Sequence, residues 1–179
     1  MIFEYSINFD KVEKENKKII SRVAVRAVII KNNDILMVKT IKGDYKFPGG
    51  GVSKNENFEE ALKREVLEET GFKIINIKEK LGIIDEIKKD IFEKEAVFEM
   101  KSIYYLCDIS ECQYEQNLDE YEKILDFSPV WINFKTALHQ NLELLNFENN
   151  DINPWVKREI FVLKKICKHF KSEDKKDEG

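Results

Sequence analysis

Gly50-Gly51-Val52-Ser53-Lys54-Asn55-Glu56-Asn57-Phe58-Glu59-Glu60-Ala61-Leu62-Lys63-Arg64-Glu65-Val66-Leu67-Glu68-Glu69-Thr70-Gly71-Phe72 decides how this chain folds, because it encodes a helix with carboxylates on its inner face. At about 100° per residue, Glu65 and Glu69 share the arc of Phe58, Ala61, Leu62 and Val66, and Glu68 lies on its shoulder. Glu59, Glu60, Lys63 and Leu67 take the opposite, solvent side. An ordinary amphipathic helix puts its carboxylates in water. Anionic groups near an apolar face are costly unless something cationic meets them, and a divalent metal is the candidate. Asn57 with Glu60 three residues on predicts an N-cap and capping box, and Thr70-Gly71 predicts a left-handed stop.

Working outward, Tyr45-Lys46-Phe47 leads into Pro48-Gly49-Gly50-Gly51, where no regular element persists. Upstream, residues 19–30 form a long β-branched run, broken at Asn32-Asn33-Asp34 and resumed over 35–40, the pattern of a hairpin. Residues 2–9 alternate Phe3, Tyr5, Ile7 and Phe9 with polar neighbours and read as a half-buried strand, followed by a charged connector over 10–18. Downstream, strands are expected at 73–78, 80–87, 96–108 and Val130-Trp131-Ile132, then a brief helix over 134–140. Asn153-Pro154 signals the start of a terminal helix. Val156, Ile160, Leu163, Cys167 and Phe170 form its apolar stripe, and Lys157, Lys164, Lys165 and Lys168 a solvated face. The tail, 171–179, is polar and expected to fray.

The composition suits one soluble domain: 179 residues, 42% hydrophobic, 36% charged. A net charge of −4 draws in no nucleic acid, so an anionic substrate needs local help from a bound cation or a small basic cluster. No apolar run is long enough to span a bilayer, and the N-terminus lacks the features of a signal peptide. Cys107, Cys112 and Cys167 make neither a disulfide framework nor a metal-ligand spacing. Reduced thiols and a cytoplasmic location are expected.

The three carboxylates at i, i+3 and i+4 converge on one small volume. Hard oxygen ligands suit Mg²⁺ or Mn²⁺ and do not suit zinc. The glycines let backbone approach that volume, where a carbonyl, that of Gly49, is a further candidate ligand. Metal bound this way bridges a diphosphate and acidifies an attacking water.

The spacing Gly50, five residues, Glu56, seven residues, Arg64-Glu65-Val66, one residue, Glu68-Glu69, one residue, Gly71-Phe72 fills every fixed position of the Nudix box. The chain therefore resembles the Nudix (MutT-like) hydrolases. The resemblance extends, less specifically, from Tyr45-Lys46-Phe47-Pro48 to Pro129-Val130-Trp131-Ile132, and covers about residues 20–145. It implies an α/β fold, an α/β/α sandwich with a mixed sheet. The expected organisation is an N-terminal strand and connector over 1–19, the Nudix domain over 20–145, a packed C-terminal helix over 146–170, and the tail.

The resemblance also implies a Mg²⁺-dependent hydrolase cleaving the diphosphate linkage of a nucleoside diphosphate joined to another moiety. Glu65, Glu68 and Glu69 become metal ligands, Arg64 steadies them, and Glu56 organises the loop. Gly49, Gly50 and Tyr45 are candidate substrate contacts; Tyr45 and Phe47 read equally well as core. An acidic ligand from outside the box is expected, with Glu122 first and Glu99 second; both also read as surface carboxylates. Trp131 is a candidate stacking partner for a base, though its neighbours suggest core. Subfamily marks downstream of the box, a proline for the ADP-ribose group and a tyrosine for the dinucleoside polyphosphate group, are missing from Glu86-Ile87-Lys88-Lys89-Asp90. A non-catalytic nucleotide sensor is the main alternative, and an RNA-end-processing enzyme a weaker one. The expected partner is a small nucleotide, with no membrane or extended nucleic-acid contact. A homodimer through the N-terminal strand is a candidate.

Overall fold

A computed structural model describes residues 1–8, 10–90, 92–93, 95–146 and 152–174. Two sheets are sandwiched between helices. The first has the order β1(Phe3–Asn8), β6(Phe72–Lys89), β7(Ala96–Gln113), β2(Lys18–Val28). It is mixed: β1 runs parallel to β6 and β2 parallel to β7, while β6 and β7 are antiparallel. The second sheet joins β3(Ile30–Lys31), β4(Asp34–Lys39) and β5(Tyr45–Lys46), with β8(Ser128–Asn133) on the other edge of β4. Alternation along β2 and β4 divides the core. Val25, Ala27 and Leu36 pack against α1(Phe58–Thr70). Val28, Ile35 and Met37 face α3(Phe134–Asn146) and α4(Val156–Asp174). The result is the expected α/β/α layering.

Several local expectations change. The long run over 19–30 does not hairpin onto 35–40 as a whole: β2 pairs with β7, and only the two residues of β3 fold back on β4. The chain changes sheets at Ile29, whose carbonyl still takes the Leu36 amide at 2.9 Å. The two strands expected at 73–78 and 80–87 are one strand, β6, with register shifts where the break was placed. Bulges absorb the irregular pattern there without ending the strand. Phe58, placed on the inner arc of α1, is 43% exposed because it stands in the first turn, beyond the layer that covers Ala61 and Leu62.

The brief helix over 134–140 continues to Asn146. Helix α4 runs through Asp174, so 171–174 belong to it; 175–179 lie outside the described residues, as does Phe9 of the first strand. The Asn153 side-chain amide is turned to the core. It donates to Asp44 Oδ1 at 2.8 Å, and α4 begins after Pro154. Strand β1 is integral to the first sheet, with Phe3 in the core and the outer edge of the sheet beyond it. Among the described residues no helix is long and apolar enough to cross a membrane.

Candidate active site

Helix α1 is fixed at both ends by its own sequence. Asn57 accepts from the Glu60 amide at 2.9 Å, and the Glu60 carboxylate accepts from the Asn57 amide at 3.0 Å. Gly71 adopts φ 75° and donates to the Leu67 carbonyl at 2.8 Å, a left-handed cap that a side chain would strain. Between these ends Ala61, Leu62 and Val66 are wholly buried, so helical phase turns Glu65 and Glu69 inward. Glu69 is 1% exposed.

The Pro48–Gly51 loop is laid along β2 by three backbone bonds: Ala27 to the Pro48 carbonyl, Val25 to that of Gly50, and Val52 back to that of Val23, at 2.8 to 2.9 Å. Gly49 has φ 130°, and a Cβ there would meet the Val25 carbonyl at 2.1 Å. A Cβ on Gly50 would fall 2.0 Å from Glu65 Oε2. Only glycine lets the loop pass this close to both. The Gly49 amide donates to Glu69 Oε2 at 2.8 Å. Its carbonyl, the candidate ligand, accepts from Arg26 Nη1, with Lys46 Nζ at 3.5 Å.

Arg64 ties the loop to the helix. Its Nε and Nη2 fork onto Glu56 at 2.7 and 2.8 Å, while Nη1 reaches Glu65 at 2.8 Å and Glu68 at 3.1 Å. Nη2 also donates to the Gly51 carbonyl at 3.2 Å. The guanidinium holds the Glu56 carboxyl down at about 2.

Glu65 and Glu69 meet Glu122, and the three offer oxygens that all lie within 4.8 Å of one another. Glu122 comes from a short helix, α2(Glu120–Ile124), capped by Asp119. Asn117 donates to the Glu68 carbonyl at 2.9 Å, and Gln116 bridges the Glu69 and Phe127 carbonyls at 2.5 and 3.0 Å. These bonds bring the α2 segment against the end of α1. Burial pushes the Glu122 carboxyl up to about 7, and the neighbouring Glu69 adds to the shift. Three crowded carboxylates with one held partly protonated form a site that favours a cation. Of the expected ligands, Glu68 stays outside this group, with an oxygen on Arg64. Glu99 is elsewhere, paired with Lys14 at 2.5 Å.

The carboxylates line a cavity of about 260 Å³. Arg22, Arg26 and Lys46 supply a cationic wall, and Tyr121, Phe127 and Trp155 an aromatic one. Trp155 is locked by its indole N–H to Asp44 at 2.7 Å, and Asp44 also accepts from Thr40 at 2.6 Å and from Asn153. A larger cavity of about 590 Å³ beside Phe58, Leu62 and Tyr105 contains none of the three carboxylates.

Of the two readings open for Tyr45 the structure takes the core one, and Trp131 departs from both of its readings. Tyr45 points into the core and its backbone pairs with Asn141, so the cavity-lining residue of that strand is its neighbour Lys46. Trp131 is 37% exposed on β8 and lines a different cavity, beside Ile29 and Phe72. The aromatics that reach the carboxylate cavity are Tyr121, Phe127 and Trp155. The sequence signals for Lys46 and Trp155 were slight: a lysine alternating with two aromatics, and a tryptophan after a helix-start signal.

Comparison with known proteins gives the family and the fold. The NUDIX domain family model matches residues 20–156. An ADP-ribose pyrophosphatase from Methanocaldococcus jannaschii is 42% identical over 72 residues, 38% of this chain and 42% of that protein. An 8-oxo-dGTP diphosphatase from Buchnera aphidicola subsp. Schizaphis graminum is 44% identical over 59 residues, 30% of this chain and 45% of that protein. The chain thus spans less than half the length of each of these curated relatives. The solved structure of a NUDIX hydrolase from Nitrosomonas europaea shares the fold, with a TM-score of 0.55 at 19% identity over 78% of this chain and 85% of that one.

Proposed function

This chain belongs to the NUDIX domain family, and from that premise we propose that it hydrolyses the diphosphate linkage of a nucleoside diphosphate joined to a second group, using Mg²⁺ or Mn²⁺. The observation that carries this reading is the convergence of Glu65, Glu69 and Glu122 within 4.8 Å. The donor set is all hard oxygen, which fits these ions. Such an ion supplies charge neutralisation on the diphosphate and a more acidic water at the cluster.

The chain's own groups do the rest. Glu65, Glu69 and Glu122 would hold the ion, and Arg64 fixes Glu65 and Glu68 in place. The Gly49 amide orients Glu69. Arg22 and Arg26 face the same cavity and pair with phosphate oxygens. Phe127 and Trp155, set at right angles with centroids 6.3 Å apart, form a rigid apolar wall for the nucleoside. The two curated relatives are named for ADP-ribose and 8-oxo-dGTP. Both compounds contain a nucleoside diphosphate, which supports that part of the substrate and leaves the second group to experiment.

The test is a hydrolysis screen with Mg²⁺ or Mn²⁺ over nucleoside triphosphates, nucleotide sugars, ADP-ribose and dinucleoside polyphosphates, with products identified. A nucleoside monophosphate released from at least one class is the expected result. Tight nucleotide binding with no product after prolonged incubation would replace this reading with that of a non-catalytic sensor.

A further inference from the structure

Lys46 is an anomaly at this site. Its side chain is 5% exposed, on a strand whose alternation sends Tyr45 into the core and Lys46 into the carboxylate cavity. A buried ammonium needs a partner, and Lys46 takes Glu69 Oε1. The other oxygen of that carboxylate, Oε2, is held by the Gly49 amide. Oε1 is therefore the oxygen that an incoming cation competes for, and Lys46 already has it.

We propose that Lys46 has two working positions: paired with Glu69 when no metal is bound, and paired with a phosphate oxygen of the substrate once a divalent cation takes Glu69 Oε1. This rests on the metal-dependent reading above. The loop amide cannot leave without moving the glycine loop, whereas the lysine stem is long and flexible. The ammonium also lies 4.5 Å from the Phe127 ring centroid and 6.0 Å from that of Trp155, so aromatic faces stabilise it on the cavity side. A diphosphate is the anion that the cavity is proposed to receive. Lys46 thus weakens metal binding in the empty site and strengthens binding of the charged substrate, which makes metal and substrate loading interdependent.

The experiment measures Mn²⁺ affinity of the substrate-free protein by electron paramagnetic resonance. It then measures affinity for adenosine α,β-methylene diphosphate with Mn²⁺ saturating, in wild type, Lys46→Met and Lys46→Arg. Lys46→Met is expected to bind Mn²⁺ about tenfold more tightly and the diphosphate about tenfold more weakly. Lys46→Arg, which keeps the cation, stays within about threefold of wild type in both. Should the methionine variant fail to fold, Lys46→Gln carries the same expectation. Unchanged or weaker Mn²⁺ binding in the uncharged variant overturns the proposal, as does unchanged diphosphate binding. If no protein in the series binds Mn²⁺, the metal-dependent reading falls, and this proposal with it.

Discussion

Arg64 and Glu56 are joined by two parallel hydrogen bonds, Nε to Oε1 at 2.7 Å and Nη2 to Oε2 at 2.8 Å. The fork uses one edge of the guanidinium and leaves Nη1 for Glu65 and Glu68. One side chain thus sets the spacing between the glycine loop and the carboxylate helix. Arg64→Ala is expected to lower metal affinity or kcat/KM about 10–100-fold while the fold persists, the usual effect of losing a residue that orients ligands. Arg64→Lys recovers little, because an ammonium cannot reproduce the fork. Metal titration beside circular dichroism checks this; wild-type metal affinity in Arg64→Ala would remove Arg64 from its orienting role.

The same pair gives a pH dependence. The Glu56 carboxyl is held at about 2 in the folded chain against an ordinary value of 4.5, chiefly by its hydrogen bonds to Arg64. A depressed folded value means that the stabilisation is fully present above the ordinary value and is lost as pH falls through about 2. Tm is therefore expected to fall on acidification more steeply in wild type than in Glu56→Gln. Calorimetry across that range tests it, and parallel slopes would refute it.

Adjacent glycines make a contrasting pair. A methyl on Gly49 meets the Val25 carbonyl at 2.1 Å with φ at 130°, so Gly49→Ala strains backbone against backbone. Its expected effect is a loss of stability of about 1–3 kcal/mol. A methyl on Gly50 meets the Glu65 carboxylate, a side chain able to move. Gly50→Ala is expected to keep its Tm within a few degrees and to lose metal affinity. The reverse pattern in paired melting and metal titrations would contradict this division.

Asp44 anchors Trp155, Asn153 and Thr40 from a position that is 1% exposed. Asp44→Ala leaves buried donors without their acceptor and frees the indole, at an expected cost of about 2–4 kcal/mol. Nucleotide affinity should fall with it. A chemical-denaturation midpoint unchanged from wild type would show that the anchor contributes nothing.

What was legible in the sequence was local. Asn57, Glu60 and Gly71 announced the ends of α1, and helical phase placed Glu65 and Glu69, because those signals lie within a few residues of their consequences. The box spacing named Arg64 and the glutamates it steadies, but not its fork onto Glu56. Residues joined across long separations were not legible. Lys46 meets Glu69 and Phe127, Trp155 meets Asp44, and Arg158 meets Glu86 at 2.7 Å only after the sheets and α4 have assembled. Strand β2 misled for the same reason: its β-branched run was plain, but its partner β7 lies far along the chain and runs parallel. Glu122 was the first of two acidic candidates, but nothing in the sequence separated it from a surface carboxylate; the Gln116 and Asn117 bonds carry its helix to the end of α1.

The most direct measurement is turnover of the best substrate from the hydrolysis screen, with Mg²⁺ in ¹⁸O-labelled water, by wild type, Glu65→Gln and Glu69→Gln. Circular dichroism serves as the control for folding, since Glu69 also pairs with Lys46. If the carboxylate cluster holds the metal that drives diphosphate hydrolysis, wild type places ¹⁸O in one phosphate product and shows no turnover after chelation. Both folded variants then lose about two or more orders of magnitude in rate. Near-normal hydrolysis by the folded variants, or turnover that survives removal of metal, would contradict it.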